Sequence, residues 1–105
     1  MIYGMTEIDL FNASSASENI AEVVGTPFAF RAMGILTDED SDVAYIVKDD
    51  GTVYGCISAM IIDAVKRLIP MLEADNRIVD NFNILITTAK SKNNRDFYRL
   101  MLVSK

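Results

Sequence analysis

The 105-residue sequence has no histidine and no tryptophan, one cysteine, two prolines and five glycines. Without an imidazole, every mechanism that needs a histidine base, proton shuttle or metal ligand is excluded. The single thiol, Cys56, can form neither an internal disulfide nor a thiolate zinc site. No apolar run approaches the roughly 20 residues that span a bilayer. The opening Met-Ile-Tyr-Gly-Met-Thr-Glu has neither the basic nor the apolar segment of a signal peptide. A soluble protein of a reducing, cytoplasmic setting is the expectation. At roughly 100–150 residues per domain, the chain is one domain. With 50% apolar and 24% charged residues it has enough to bury for a single core.

The net charge of −5 conceals an uneven distribution. Residues 1–65 carry Arg31 and Lys48 against eleven acidic groups, a balance of −9, whereas residues 66–105 carry eight basic groups against four acidic ones. The C-terminal part is therefore cationic within an acidic protein, and a single net figure cannot exclude an anionic partner.

There is no repeat and no linker. Ser15 and Glu18 have the spacing of a capping box, predicting a short helix that Gly25 and Pro27 end. Residues 1–26 are thus expected to be a lead and helix, and residues 27–105 the main body. Phe28 to Leu36 alternates as a strand, with Gly34 suggesting a bulge or bend. Val43–Lys48 and Thr52–Ser58 read as a hairpin about Asp49-Asp50-Gly51, an Asp-Gly signal for a type I′ turn. Ser58 is placed to cap a helix in which Ile61, Ala64, Val65, Leu68 and Leu72 share a face and Asp63 pairs with Arg67. Pro70 is expected to end or kink it, ahead of a polar connection over 73–81. Phe82–Lys90 and Asp96–Val103 form a last hairpin about Ser91–Arg95. The order β-β-β-α-β-β after a short N-terminal helix is that of the OB-fold, a mainly β, five-stranded Greek-key barrel. A three-stranded sheet on a helix with a separate C-terminal hairpin gives the same linear pattern.

Catalytic constellations are wanting. Asp38, Asp40 and Asp42 mimic the start of an EF-hand loop, but Val43 stands where the turn needs glycine, so a solvated acidic loop is the better reading. Ser58 lies outside any G-x-S-x-G elbow, no glycine-rich phosphate loop exists, and Cys56 has no basic neighbour in sequence. The expectation is a non-enzyme with no cofactor and no metal. What remains is basic and aromatic: Lys90, Lys92, Arg95 and Arg99 interleave with Phe97 and Tyr98, while Tyr45, Lys48 and Tyr54 lie on the central hairpin. Alternation puts Phe97, Arg99 and Met101 on the outer face of the last strand and Tyr98, Leu100 and Leu102 on the inner. Proteins that hold single strands without reading sequence need cations for phosphates and rings on which bases stack.

From Val24-Gly25 to Leu102 the chain resembles the small single-stranded-DNA-binding proteins of bacteriophages and related mobile elements. The resemblance rests on Gly25-Thr-Pro-Phe28, the Asp50-Gly51 hairpin, the helix opening at Ser58, and Lys90-Ser-Lys92 followed by Phe97-Tyr98. It implies an OB-fold protein, without catalytic activity, that coats exposed strands in phage replication or recombination. By position, it implies contacts from Tyr45 and Tyr54, from Lys90, Lys92 and Arg95, and from Phe97 and Arg99. Single-stranded DNA is then the expected partner, with RNA undistinguished, alongside replication or recombination proteins in the host cytoplasm. The four carboxylates of residues 37–42 depart from this pattern, because they would repel phosphate. They motivate a rival reading on the same fold, an acidic protein-interaction module that inhibits a host protein or mimics DNA. Exposed edge strands and the apolar Met1, Ile2 and Tyr3 predict a homo-oligomer, such as a dimer.

Overall fold

The computed structural model describes residues 1–105, with the side chain of Asp38 outside the described set. Strands β1 (Ile2–Tyr3), β2 (Glu18–Asn19), β3 (Phe30–Asp38), β4 (Ser41–Lys48) and β5 (Val53–Cys56) form a sheet in the order β1-β3-β4-β5-β2. Strands β6 (Phe82–Lys90) and β7 (Asp96–Ser104) form a separate antiparallel hairpin. The helices are α1 (Glu7–Ser15), α2 (Ala59–Ala74) and the short α3 (Arg77–Asn81), with a 3-10 turn over Ile20–Val23. Among the described residues, no helix is long and apolar enough to cross a membrane.

The expected order β-β-β-α-β-β is present as β3, β4, β5, α2, β6 and β7. Closure into one five-stranded barrel is not. Isolated bridges Val24–Ile86 and Phe28–Ile84 tie the segment before β3 to β6, but among the described residues no ladder joins β5 to β7. The protein is mainly β with one side open, closer to the sheet-plus-hairpin pattern than to a sealed cylinder.

Between the two sheets lies the main core. Ile61, Val65, Leu68, Ile69 and Leu72 of α2 meet Phe30, Met33 and Ile35 of β3, Ala44 and Ile46 of β4, and Ile84 and Ile86 of β6. Each of the valine, leucine, isoleucine, methionine and phenylalanine side chains among them contributes about 1.5–3 kcal/mol relative to exposure. α2 runs four residues beyond the end expected at Pro70, which sits inside it. Leu72 lies fully buried past the proline, so core burial outweighs the lost backbone hydrogen bond. Ser58 occupies the N-cap position but makes no side-chain cap bond.

A bulge between Phe30 and Ala32, not at Gly34, breaks the alternation of β3. Phe30, Met33 and Ile35 consequently share the main core, while Ala32 joins Ala13, Val47 and Val53 on the opposite side of the sheet. Gly34 serves close approach instead. A Cβ there would lie 2.7 Å from Ile2 Cγ2, and Ile2 is its partner across β1–β3. Met1 to Tyr3, expected as a free apolar lead, is thus spent on pairing with β3.

The N-terminal helix starts earlier than Ser15–Glu18 suggests. The capping box is Thr6–Asp9: the Asp9 N–H donates to Thr6 Oγ1 at 3.2 Å and the Thr6 N–H to Asp9 Oδ2 at 3.0 Å. Glu18 and Asn19 instead pair in parallel with Tyr54 and Gly55 of β5. α1 lies over the face of the sheet away from the main core, its Ala13 packed in the second cluster. Arg31 clamps it there, donating from Nη1 and Nη2 to the buried Asp9 carboxylate at 2.8 and 2.7 Å.

Turn geometry inverts one expectation. At Asp49-Asp50-Gly51 only Gly51 has positive φ (94°), and the Gly51 N–H donates to the Lys48 carbonyl at 3.0 Å. This is a type I turn with a glycine bulge rather than type I′. Positive φ at both central residues occurs at Glu39 (47°) and Asp40 (68°), where β3 turns tightly into β4. The expected loop over 37–42 is therefore mostly strand.

Candidate nucleic-acid interface

The open side between β5 and β7 holds a cleft of about 480 Å³. One wall is the outer face of β4 and β5. Ala44 and Ile46 point into the core, so Tyr45 between them points out. Its cross-strand partner is Gly55, and the ring packs over that glycine so closely that a Cβ there would lie 3.1 Å from Tyr45 Cε1. Ser17, Glu18 and Asn19 line the cleft beside β5, and Ile57, 80% exposed, projects from its rim. Tyr98 of β7 closes the far side. A second cleft, of about 450 Å³, shares Ser58 and Tyr98 and continues along Thr88, Asp96 and Phe97. The two rings thus border one connected depression that leads to the β6–β7 turn.

That turn is built from its own sequence. The Asn94 N–H donates to the Ser91 carbonyl at 2.9 Å, Asn94 adopts φ 61°, and the Ser91 N–H donates to the Arg95 carbonyl at 2.9 Å. Asparagine tolerates this left-handed conformation better than most side chains. Lys92 and Arg95 stand exposed on the turn, and Arg99 is exposed on the outer face of β7. Among the described residues, no carboxylate lies within ion-pair distance of these three. Lys90 differs, with Asp96 at 3.7 Å.

The sequence-based candidates separate accordingly. Tyr45 and Phe97 line the clefts, and Lys92, Arg95 and Arg99 are available to solvent. Tyr54 must be withdrawn as a stacking ring. It is 7% exposed and packs against Phe28 at a centroid distance of 6.0 Å. Pairing with Ile46 places it on the core side of the sheet, whereas Tyr45, one register step away, faces out. Lys48 lies at the opposite end of β4, beside the 49–51 turn, with Asp50 at 4.0 Å, and the structure does not bring it to the clefts. Alternation puts Tyr98 on the inner face, and its strand position agrees: Tyr98, Leu100 and Leu102 all pack against the core. Tyr98 sits near the hairpin tip, where the core thins, so its ring also reaches the clefts. Only the proximity of Tyr98 to the basic turn could have signalled this in the sequence.

The acidic segment is less forbidding than its composition suggests. Asp42 accepts from Thr37 Oγ1 at 2.7 Å and from Lys66 Nζ at 3.0 Å, which together hold its carboxyl below the usual range. Glu39 and Asp40 form the tip of the β3–β4 turn and do not line the clefts. The calcium-like spacing includes Asp38, whose side chain lies outside the described residues. Among those described, no group of three or more His, Cys, Asp or Glu side chains is placed to hold a metal. Cys56 lines the first cleft, and burial raises its thiol pKa, partly offset by the Ser58 N–H donating to Sγ at 3.4 Å. A raised pKa leaves it a poor nucleophile.

Rings on rigid strands beside an unpaired cationic turn define a β-sheet surface suited to an extended, negatively charged chain of planar groups. Residues 5–103 match the family model described as phage single-stranded DNA-binding protein. The chain belongs to that family. No curated protein and no solved structure matches it.

Proposed function

We propose that this protein coats single-stranded DNA without reading its sequence and without catalysis. Bases stack on Tyr45 and Tyr98, Phe97 and Ile57 supply apolar contact, and Lys92, Arg95 and Arg99 take phosphates. The observation that carries this reading is the ring-lined depression between β5 and β7, which runs into the cationic β6–β7 turn. The strand order and the Phe28–Ile84 bridge support reading the fold as an OB-type barrel left open on that side. Family membership favours DNA over the acidic protein-interaction module. The setting we infer is phage replication or recombination in the host cytoplasm, with proteins of those processes as partners.

Titration of a fluorescein-labelled oligo-dT tests the proposal. Binding at low salt that weakens steeply as salt rises is expected. Absence of binding at low salt would refute it, and competition by oligo-rU against oligo-dT measures the preference for DNA.

A further inference from the structure

The inner face of the β6–β7 hairpin changes character towards its tip. Leu100 and Leu102 pack on the core, and Tyr98 follows at its margin. Beyond them the same face carries Thr88, the cross-strand partner of Tyr98, and then the Lys90–Asp96 pair. Thr88 and Asp96 line the cleft of about 450 Å³ together with Ser58, Phe97 and Tyr98. A carboxylate therefore borders a depression that otherwise suits a polyanion.

Its presence constrains how a strand lies there. A phosphate beside Asp96 meets like charge, so the backbone follows Lys92, Arg95 and Arg99 and the base edges turn into the cleft. Asp96 is open to a partner: its side chain is 74% exposed, and Lys90 Nζ stands 3.7 Å from Oδ1, beyond hydrogen-bonding distance. The pair consequently offers two acceptor oxygens beside an ammonium with three donors. Asp96 lies two residues from Tyr98 on one face, about 7 Å along the strand, within the span of a purine stacked on that ring.

We propose, building on the DNA reading above, that the Lys90–Asp96 pair recognises the Watson–Crick edge of a guanine stacked on Tyr98. In a single strand that edge is unpaired and accessible. Guanine alone among the four bases presents two adjacent donors, N1–H and the N2 amino group, which match both oxygens of a carboxylate, and its O6 accepts from Lys90. Adenine and cytosine offer one amino group beside an acceptor, and thymine a single N3–H between two carbonyls. Each of these leaves one Asp96 oxygen without a partner on the base. Stacking accepts any base, so the protein still coats mixed sequences, and the pair ranks the bases within one cleft.

Deoxyinosine separates the pair's contribution from stacking, because it keeps the ring system and O6 of guanine but lacks the N2 amino group. Anisotropy titrations compare length-matched alternating dT/dG and dT/dI oligonucleotides with oligo-dT, in lithium salt to suppress guanine quadruplexes. The parent should bind the guanine strand about three- to tenfold more tightly than the inosine strand, as one exposed charge-assisted hydrogen bond allows. Asp96→Ala changes an exposed residue outside both cores. It should raise affinity for every strand by removing a negative charge, yet bring the guanine-to-inosine ratio within about twofold. Equal affinity of the parent for the two strands, or a ratio that survives Asp96→Ala, overturns the proposal, while binding of oligo-dT in the same series upholds the DNA reading. Failure to bind oligo-dT overturns both.

Discussion

Replacing Lys92, Arg95 and Arg99 together with alanine removes three exposed cations that have no carboxylate partner among the described residues. The fold should survive, since none of the three contributes to either core. For single strands, the logarithm of affinity falls with the logarithm of salt at about 0.7 per phosphate neutralised, so three lost contacts lower the slope by about 2. Over a fourfold rise in salt, the variant should then lose about 20-fold less affinity than the parent. Fluorescence anisotropy with labelled oligo-dT across a salt series reads both quantities. Lys48→Ala is the control, because Lys48 lies at the far end of β4 and its removal should leave the slope unchanged. An unchanged slope in the triple variant, or an equal change in the control, would refute the assignment of phosphate contacts.

Asp9→Asn breaks the clamp on α1. We expect a loss of about 2–3 kcal/mol by urea unfolding, below the about 3–5 kcal/mol of a fully buried pair, because Arg31 keeps 38% side-chain exposure. Arg31 depresses the Asp9 pKa. The clamp's contribution is therefore present above the ordinary aspartate value of about 3.9 and lost as pH falls through the depressed one. Melting temperatures of the parent should drop across that window more steeply than those of Asp9→Asn. Pro70→Ala restores a helix hydrogen-bond donor and should raise stability by about 1–2 kcal/mol, read by chemical denaturation. Gly55→Ala pushes on the Tyr45 ring and should weaken oligo-dT binding by about three- to tenfold while changing the melting temperature little.

Local chemistry made much of this legible in the sequence. The β6–β7 hairpin and the outward face of Arg99 follow from alternation, and the structure repeats them almost residue for residue, whereas helical spacing gives the start and the buried face of α2 but not its run past Pro70. Failures arise where tertiary contact overrules a local signal. Ser15-x-x-Glu18 has cap spacing, but pairing of Glu18 and Asn19 with β5 prevails, and the cap falls to Thr6–Asp9. Alternation through β3 misleads because one extra residue at Phe30–Ala32 reverses the faces beyond it. Tyr45 and Tyr54 look equivalent in the chain, and only cross-strand register sends one outward and the other against Phe28. The open side between β5 and β7, and with it the role of Tyr98, depends on strands 40 residues apart. No local pattern encodes that separation.

The protein lacks tryptophan, so its four tyrosines, Tyr3, Tyr45, Tyr54 and Tyr98, report directly by their own emission. Titrating oligo-dT into the parent and into a Tyr45→Phe, Tyr98→Phe double variant tests whether bases stack in the depression between β5 and β7. The account predicts that the parent is quenched on binding. The variant should still bind, as followed by anisotropy, with its remaining emission from Tyr3 and Tyr54 nearly unchanged. Equal fractional quenching of the variant would place the bases elsewhere and contradict the account.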